Sequence, residues 1–152
     1  MKYIITGLLF ACIIMQAQAQ DSTREQTIKN LIDTKHYTFE PTTMTTGGGR
    51  FRQLTPGYFF QVKNDTLKVE LPYVGRAYNA PIDPSDAGFD FITTDFTYTV
   101  STGKKNSYSV SVKTKGKPYN TEFALTVFDN GTAYLRANAT DKQPVSYNGN
   151  IK

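Results

Sequence analysis

The chain has 152 residues, a formal net charge of +4, one cysteine, one histidine and no tryptophan. One cysteine cannot build a disulfide framework, and one histidine beside it leaves too few ligands for a structural zinc site. The small positive charge comes without an arginine-rich run, so nucleic acid is not expected as a partner.

Residues 1–19 read as an export signal. Lys2 gives a positive start, Tyr3 to Met15 is apolar apart from Thr6 and Gly7, and Ala17-Gln18-Ala19 has the small-x-small pattern of a cleavage site. An apolar run this short is a signal rather than a membrane span. Cleavage after Ala19 leaves residues 20–152 as a single domain without cysteine and without a transmembrane segment. The expected location is the periplasm or the exterior. The alternative is a lipoprotein anchored through Cys12, since Leu9-Phe10-Ala11-Cys12 resembles an acylation box. Phe10 fits that box poorly, and Ile13-Ile14-Met15 is not the polar tether a lipid anchor needs.

Ser22-Thr23-Arg24-Glu25 fits a capping box, and Ile28, Leu31 and Ile32 share a face at helical spacing. A short helix is expected from about Thr23 to Thr34. Tyr37 and Phe39 alternate with polar neighbours in a strand from His36 that Pro41 should stop. Thr42 to Gly49 reads as a mobile connection. Its three glycines lack the lysine and hydroxyl residue of a nucleotide loop.

From Arg50 on, alternation dominates. Strands are expected around Phe51 to Leu54, at Tyr58, Phe60 and Val62, at Leu67, Val69 and Leu71, and at Phe89 and Phe91. The second half reads as a meander through Phe96-Tyr98-Val100, Tyr108-Val110-Val112, Phe123-Leu125-Val127, Ala133-Leu135-Ala137 and Val145-Tyr147. Asn130-Gly131 is the strongest hairpin signal, because both residues tolerate positive φ. Lys104, Lys105, Lys113 and Lys117, at tips and on exposed strand positions, should discourage edge-to-edge association. Each strand has one polar face, so the sheet is antiparallel. The expected fold is mainly β, an antiparallel sheet of about seven to nine strands forming a sandwich or a strongly curved, partly closed barrel, with a short N-terminal helix.

Little in the chain points to catalysis. His36 has no acid–nucleophile set attached to it. Asp83, Asp86, Asp90 and Asp95 form the acidic cluster; they can be imagined around calcium or as a carboxylate pair in a hydrolase, but their spacing fits no strong signature. The turn asparagines Asn64, Asn130 and Asn138 match a glycosylation triplet and are explained by turn geometry. No catalytic residue, metal or cofactor is therefore expected.

The alternation breaks at Leu71-Pro72-Tyr73-Val74-Gly75-Arg76-Ala77-Tyr78-Asn79-Ala80-Pro81. Arg76 offers a planar fork for a carboxylate or phosphate, and Tyr73 and Tyr78 offer flat faces with a hydroxyl at the rim. Tyr73, Arg76 and Tyr78 are the ligand-binding candidates, for a small polar ligand, a glycan or a peptide. The same residues can also serve as a structural corner, with the prolines stiffening it and Gly75 permitting its bend.

At this stretch the chain resembles the family known as domain of unknown function 4251, small exported proteins of Bacteroidetes. The resemblance rests on Leu71 to Tyr78 with Ala80-Pro81, on Gly48-Gly49-Arg50, on Leu54-Thr55-Pro56-Gly57-Tyr58, and on Phe128-Asp129-Asn130-Gly131-Thr132-Ala133. Val74 and Ile82 depart from the family's aromatics. The resemblance implies a bacterial envelope location and a mainly β domain, and no activity. The expected function is a non-enzymatic binding module of the envelope, with a structural or protein-interaction component as the alternative and a carboxylate hydrolase as a remoter one.

Overall fold

Residues 24–75, 88–104, 107–115 and 120–152 are described by a computed structural model. They form helix α1 (residues 24–33) and ten strands. The strands are β1 (His36–Thr46), β2 (Phe51–Gln53), β3 (Phe59–Lys63), β4 (Thr66–Leu71), β5 (Phe89–Thr93), β6 (Phe96–Thr102), β7 (Ser107–Thr114), β8 (Thr121–Phe128), β9 (Thr132–Ala139) and β10 (Val145–Ile151). Period-2 alternation assigns their faces. In β8, for example, Phe123, Leu125 and Val127 are buried while Glu122 and Ala124 are exposed.

All pairings are antiparallel, in the order β5-β4-β3-β1-β10-β9-β8-β7-β6, with β2 added beside β1. The meander expected of the second half is present as β6 to β10. The join that makes one sheet is β1 against β10, the first strand against the last. The sheet curves strongly and nearly closes. The Phe123 ring of β8 lies 5.1 Å from Phe60 of β3 and 5.7 Å from Phe89 of β5, strands far away along the ladder. Such ring contacts close the interior with the large aromatic areas the composition supplies.

Helix α1 crosses one end of this curve. Ile28 and Ile32 are buried in the core, Arg24 lies beside the turn at Gly131, and the Ile32 carbonyl accepts a hydrogen bond from the Tyr98 hydroxyl of β6 (3.2 Å). Its observed span agrees with the periodicity. Ser22 of the expected capping box and residues 1–19 lie outside the described residues.

Two expectations are corrected. First, β1 does not stop at Pro41 but continues to Thr46. Thr38 exchanges both backbone hydrogen bonds with Lys152, so by alternation residue 41 turns its nitrogen away from β10. On that side β1 is paired with β3 only through Phe39 and with β2 only from Thr43. Proline therefore falls in a gap where no donor is required. Opposite it stands Gly149, where an added Cβ would lie 2.0 Å from the Glu40 carbonyl oxygen. Backbone packs there so closely that no side chain fits.

Second, the expected mobile connection ends in an ordered turn. Gly49 N–H donates to Thr46 O (2.8 Å), just as Gly131 N–H donates to Phe128 O (2.9 Å), and both glycines have φ of 80°. These are three-residue hairpin loops closed by a left-handed glycine. Asn130 is not at positive φ; its Oδ1 instead accepts from the Thr132 N–H (2.9 Å).

Lys104 stands exposed at the β6–β7 turn and Lys113 at an exposed strand position, as expected, while Lys105 and Lys117 lie outside the described residues; the edge protection expected of Lys113 is not provided. Lys113 sits on β7, an interior strand, ion-paired with Glu122. The two end strands, β5 and β6, carry no lysine.

Candidate functional site: the corner and the outer face

The corner begins where β4 ends. Leu71 is buried, and the Pro72 carbonyl accepts a hydrogen bond from the Tyr147 hydroxyl of β10 (2.6 Å). Burial holds that hydroxyl well above its ordinary range, with Tyr73 adding to the effect. The Tyr73 ring is half-buried and meets Phe89 edge-on at 6.0 Å. Lys142, only 4 % exposed, sets its ammonium 5.4 Å from the Phe89 ring and 6.0 Å from the Tyr73 ring, and 3.5 Å from Asp141 Oδ2. A buried ammonium needs such partners, because desolvation otherwise expels it. Nothing in the sequence singles out Lys142, since its burial depends on aromatic rings from distant strands.

Of the three ligand-binding candidates, Tyr73 is the one described; Arg76 and Tyr78 lie outside the described residues. So do Asp83 and Asp86. Asp90 stands on β5 across from Glu70, and Asp95 precedes β6. Among the described residues no three His, Cys, Asp or Glu side chains gather as metal ligands would. His36 is exposed at the start of β1, opposite Lys63.

Beyond the corner lies a cavity of about 380 Å³ lined by Val74, Gly75, Arg50, Thr46, Gly48 and Gln143. Thr46 also lines a second hollow, of about 360 Å³, with Thr45, Gly47, Tyr134, Arg136, Pro144 and Ser146. The Thr46–Arg50 hairpin turn thus separates two adjoining hollows, each with one arginine. No aspartate or glutamate lines either of them among the described residues.

The second hollow opens on a face that register alone assembles. Phe51 of β2 pairs with Thr45, Thr45 with Ser146, and Ser146 with Arg136, one row across four strands. The neighbouring row runs Gln53, Thr43, Asn148, Tyr134. These side chains occupy the outer face, opposite the buried Met44, Tyr147 and Leu135. The Tyr134 hydroxyl donates to Ser146 Oγ (2.7 Å), which fixes its ring on the surface. Phe51 is 67 % exposed.

Two aromatic rings, two amides, several hydroxyls and an arginine therefore share one face, and no carboxylate among the described residues lines the hollow they border. Aromatic faces stack on the apolar side of sugar rings, amides and hydroxyls exchange hydrogen bonds with sugar hydroxyls, and arginine pairs with a carboxylate. Sequence reading missed this set because its members come from four strands, and no local motif links them. A third hollow, of about 290 Å³ at the ends of β7, β8 and β9, is lined by Lys113 and Glu122, which pair with each other, and has no aromatic ring among the described residues.

The sequence pattern of the family described as "Domain of unknown function (DUF4251)" matches residues 19–151. A crystal structure of a DUF4251 family protein from Bacteroides eggerthii DSM 20697 is similar over 88% of this chain and 90% of that one, with a TM-score of 0.63 and 15% sequence identity. At that identity the likeness bears on the fold. No curated protein matches the chain. Among the described residues, no helix is long and apolar enough to cross a membrane.

Proposed function

The chain belongs to the DUF4251 family, and from that premise we propose that it is a non-enzymatic binding module of the bacterial envelope whose ligand is an acidic glycan. The observation that carries the reading is the outer face of β2, β1, β10 and β9. There Phe51 and Tyr134 offer rings, Gln53 and Asn148 offer amides, and Arg136 supplies the charge beside the Thr46 turn. Support for the envelope location is the export pattern of residues 1–19.

Calorimetric titration with a uronic-acid oligosaccharide and with a neutral one of equal length tests this proposal. The acidic ligand should bind at least about tenfold more tightly, the difference of one charge-assisted hydrogen-bonded pair. Equal affinity for both, or binding of neither, rejects the acidic-glycan reading.

A second reading keeps the ligand at the corner, on Tyr73, Arg76 and Tyr78. It is favoured by the cavity in which Val74 and Gly75 meet Arg50. Arg76→Ala would then abolish binding, whereas under the outer-face reading Arg136→Ala does so and Arg76→Ala leaves it intact.

A further inference from the structure

The two rings of the outer face do not adjoin. Phe51 stands on β2 in one row, and Tyr134 stands on β9 in the next. Three strand spacings, about 14 Å, separate their backbones, and neighbouring rows lie about 7 Å apart along the strands. This face is the outer side of a strongly curved sheet, which spreads the side chains further apart. Between the rings the two rows hold Thr45, Ser146, Thr43 and Asn148, short polar side chains over which a ligand can lie flat. The hollow of about 360 Å³ lies at the β9 end of this ground, and Phe51 stands outside its lining. Tyr134 is fixed by its bond to Ser146 (2.7 Å). Phe51 is the most exposed large apolar side chain among the described residues.

We propose, resting on the acidic-glycan reading above, that the ligand is a linear polysaccharide that crosses β9, β10, β1 and β2 in turn, with roughly four consecutive sugar units held between Tyr134 and Phe51. One unit stacks on each ring, and the amides and hydroxyls of Asn148, Thr43 and Gln53 serve the units between them. The acidic unit lies at the β9 end, where Arg136 and Tyr134 stand two positions apart on the same face of one strand.

The separation of the rings selects an extended ligand over a single sugar. A linked sugar ring advances a chain by roughly 5 Å, close to one strand spacing, so about three further units carry it from Tyr134 to Phe51. A shorter ligand in the hollow meets Tyr134 and Arg136 and stops short of Phe51. Because the rings stand on different strands, the chain runs across the strands rather than along them. Once one ring is engaged, the linkage presents the rest of the chain to the other at high effective concentration.

Calorimetric titration of the wild-type protein with a disaccharide, a tetrasaccharide and a hexasaccharide of uronic acid tests the inference. The tetrasaccharide should bind at least about tenfold more tightly than the disaccharide, the worth of one further stacked ring, and the hexasaccharide should add little more. Phe51→Ala should shrink the ratio of tetrasaccharide to disaccharide affinity to within about twofold. Phe51→Tyr, which keeps a ring, should retain the full ratio. Both variants replace an exposed side chain, so circular dichroism should be unchanged. Equal affinity for all three lengths overturns this inference and leaves the acidic-glycan reading standing, as does a folded Phe51→Ala variant that keeps the wild-type ratio. Binding of no length rejects the acidic-glycan reading, and this inference with it.

Discussion

The two sides of β1, β10 and β9 differ by a single step of the chain. Inward, Met44, Tyr147 and Leu135 are fully buried and join the ring cluster around Phe123. Outward, Thr45, Ser146 and Arg136 form the row to which the ligand is assigned. On the proposed reading neighbouring residues do unrelated work, because the sheet period sends them to opposite faces. The comparison teaches that stability and binding should separate cleanly here. Inward substitutions should lower stability, and outward ones should lower affinity at unchanged stability.

The largest effect is expected at the centre of the inner side. Phe123→Ala removes the ring that contacts Phe60, Phe89 and Phe91 and should cost about 3–5 kcal/mol in denaturant unfolding. Next comes the join of β1 to β10. Gly149→Ala drives a methyl group into the Glu40 carbonyl, and backbone cannot yield as a flexible side chain can. A loss of about 3 kcal/mol follows, read as a lower midpoint with an unchanged slope.

A smaller effect is expected for Tyr147→Phe, which leaves the Pro72 carbonyl without its donor. About 1–2 kcal/mol should be lost at neutral pH. Tyr147 also governs alkaline behaviour, together with Tyr37 and Tyr98. Burial raises all three hydroxyls above their ordinary value of 10.0. Above about pH 10 the unfolded chain releases these protons while the folded one retains them, so the unfolded state binds fewer protons and stability falls with rising pH. Below that pH the contribution is complete and level. Urea unfolding followed from pH 8 upward should therefore be flat and then decline, and the decline should be shallower in Tyr147→Phe.

Much of this architecture was legible in the chain. Alternation at Phe123-Leu125-Val127 or Leu67-Val69-Leu71 is local, and so is the helical spacing of Ile28, Leu31 and Ile32; the observed elements follow both. The asparagine and glycine turns could be located for the same reason. What depends on contacts between distant strands was not legible. Pro41 reads as a stop until one knows that β1 changes partner from β3 to β2 at that point. Lys142 reads as a surface lysine until Tyr73 and Phe89 are seen around it. The outer face was the least visible feature, since Arg136 and Phe51 fall in one row only through two intervening strands. At the corner, Tyr73 was singled out from its sequence context, and its ring packs against Phe89 and Lys142.

The smallest expected effect on stability is also the most direct test of the account. Arg136→Glu reverses the charge of the outer face without touching a buried group, so thermal melting should shift by no more than about 0.5 kcal/mol in equivalent stability. Calorimetric titration of that variant with the uronic-acid oligosaccharide should show binding reduced beyond detection beside a wild type that binds. Undiminished binding by a folded Arg136→Glu variant would contradict the assignment of the ligand to this face.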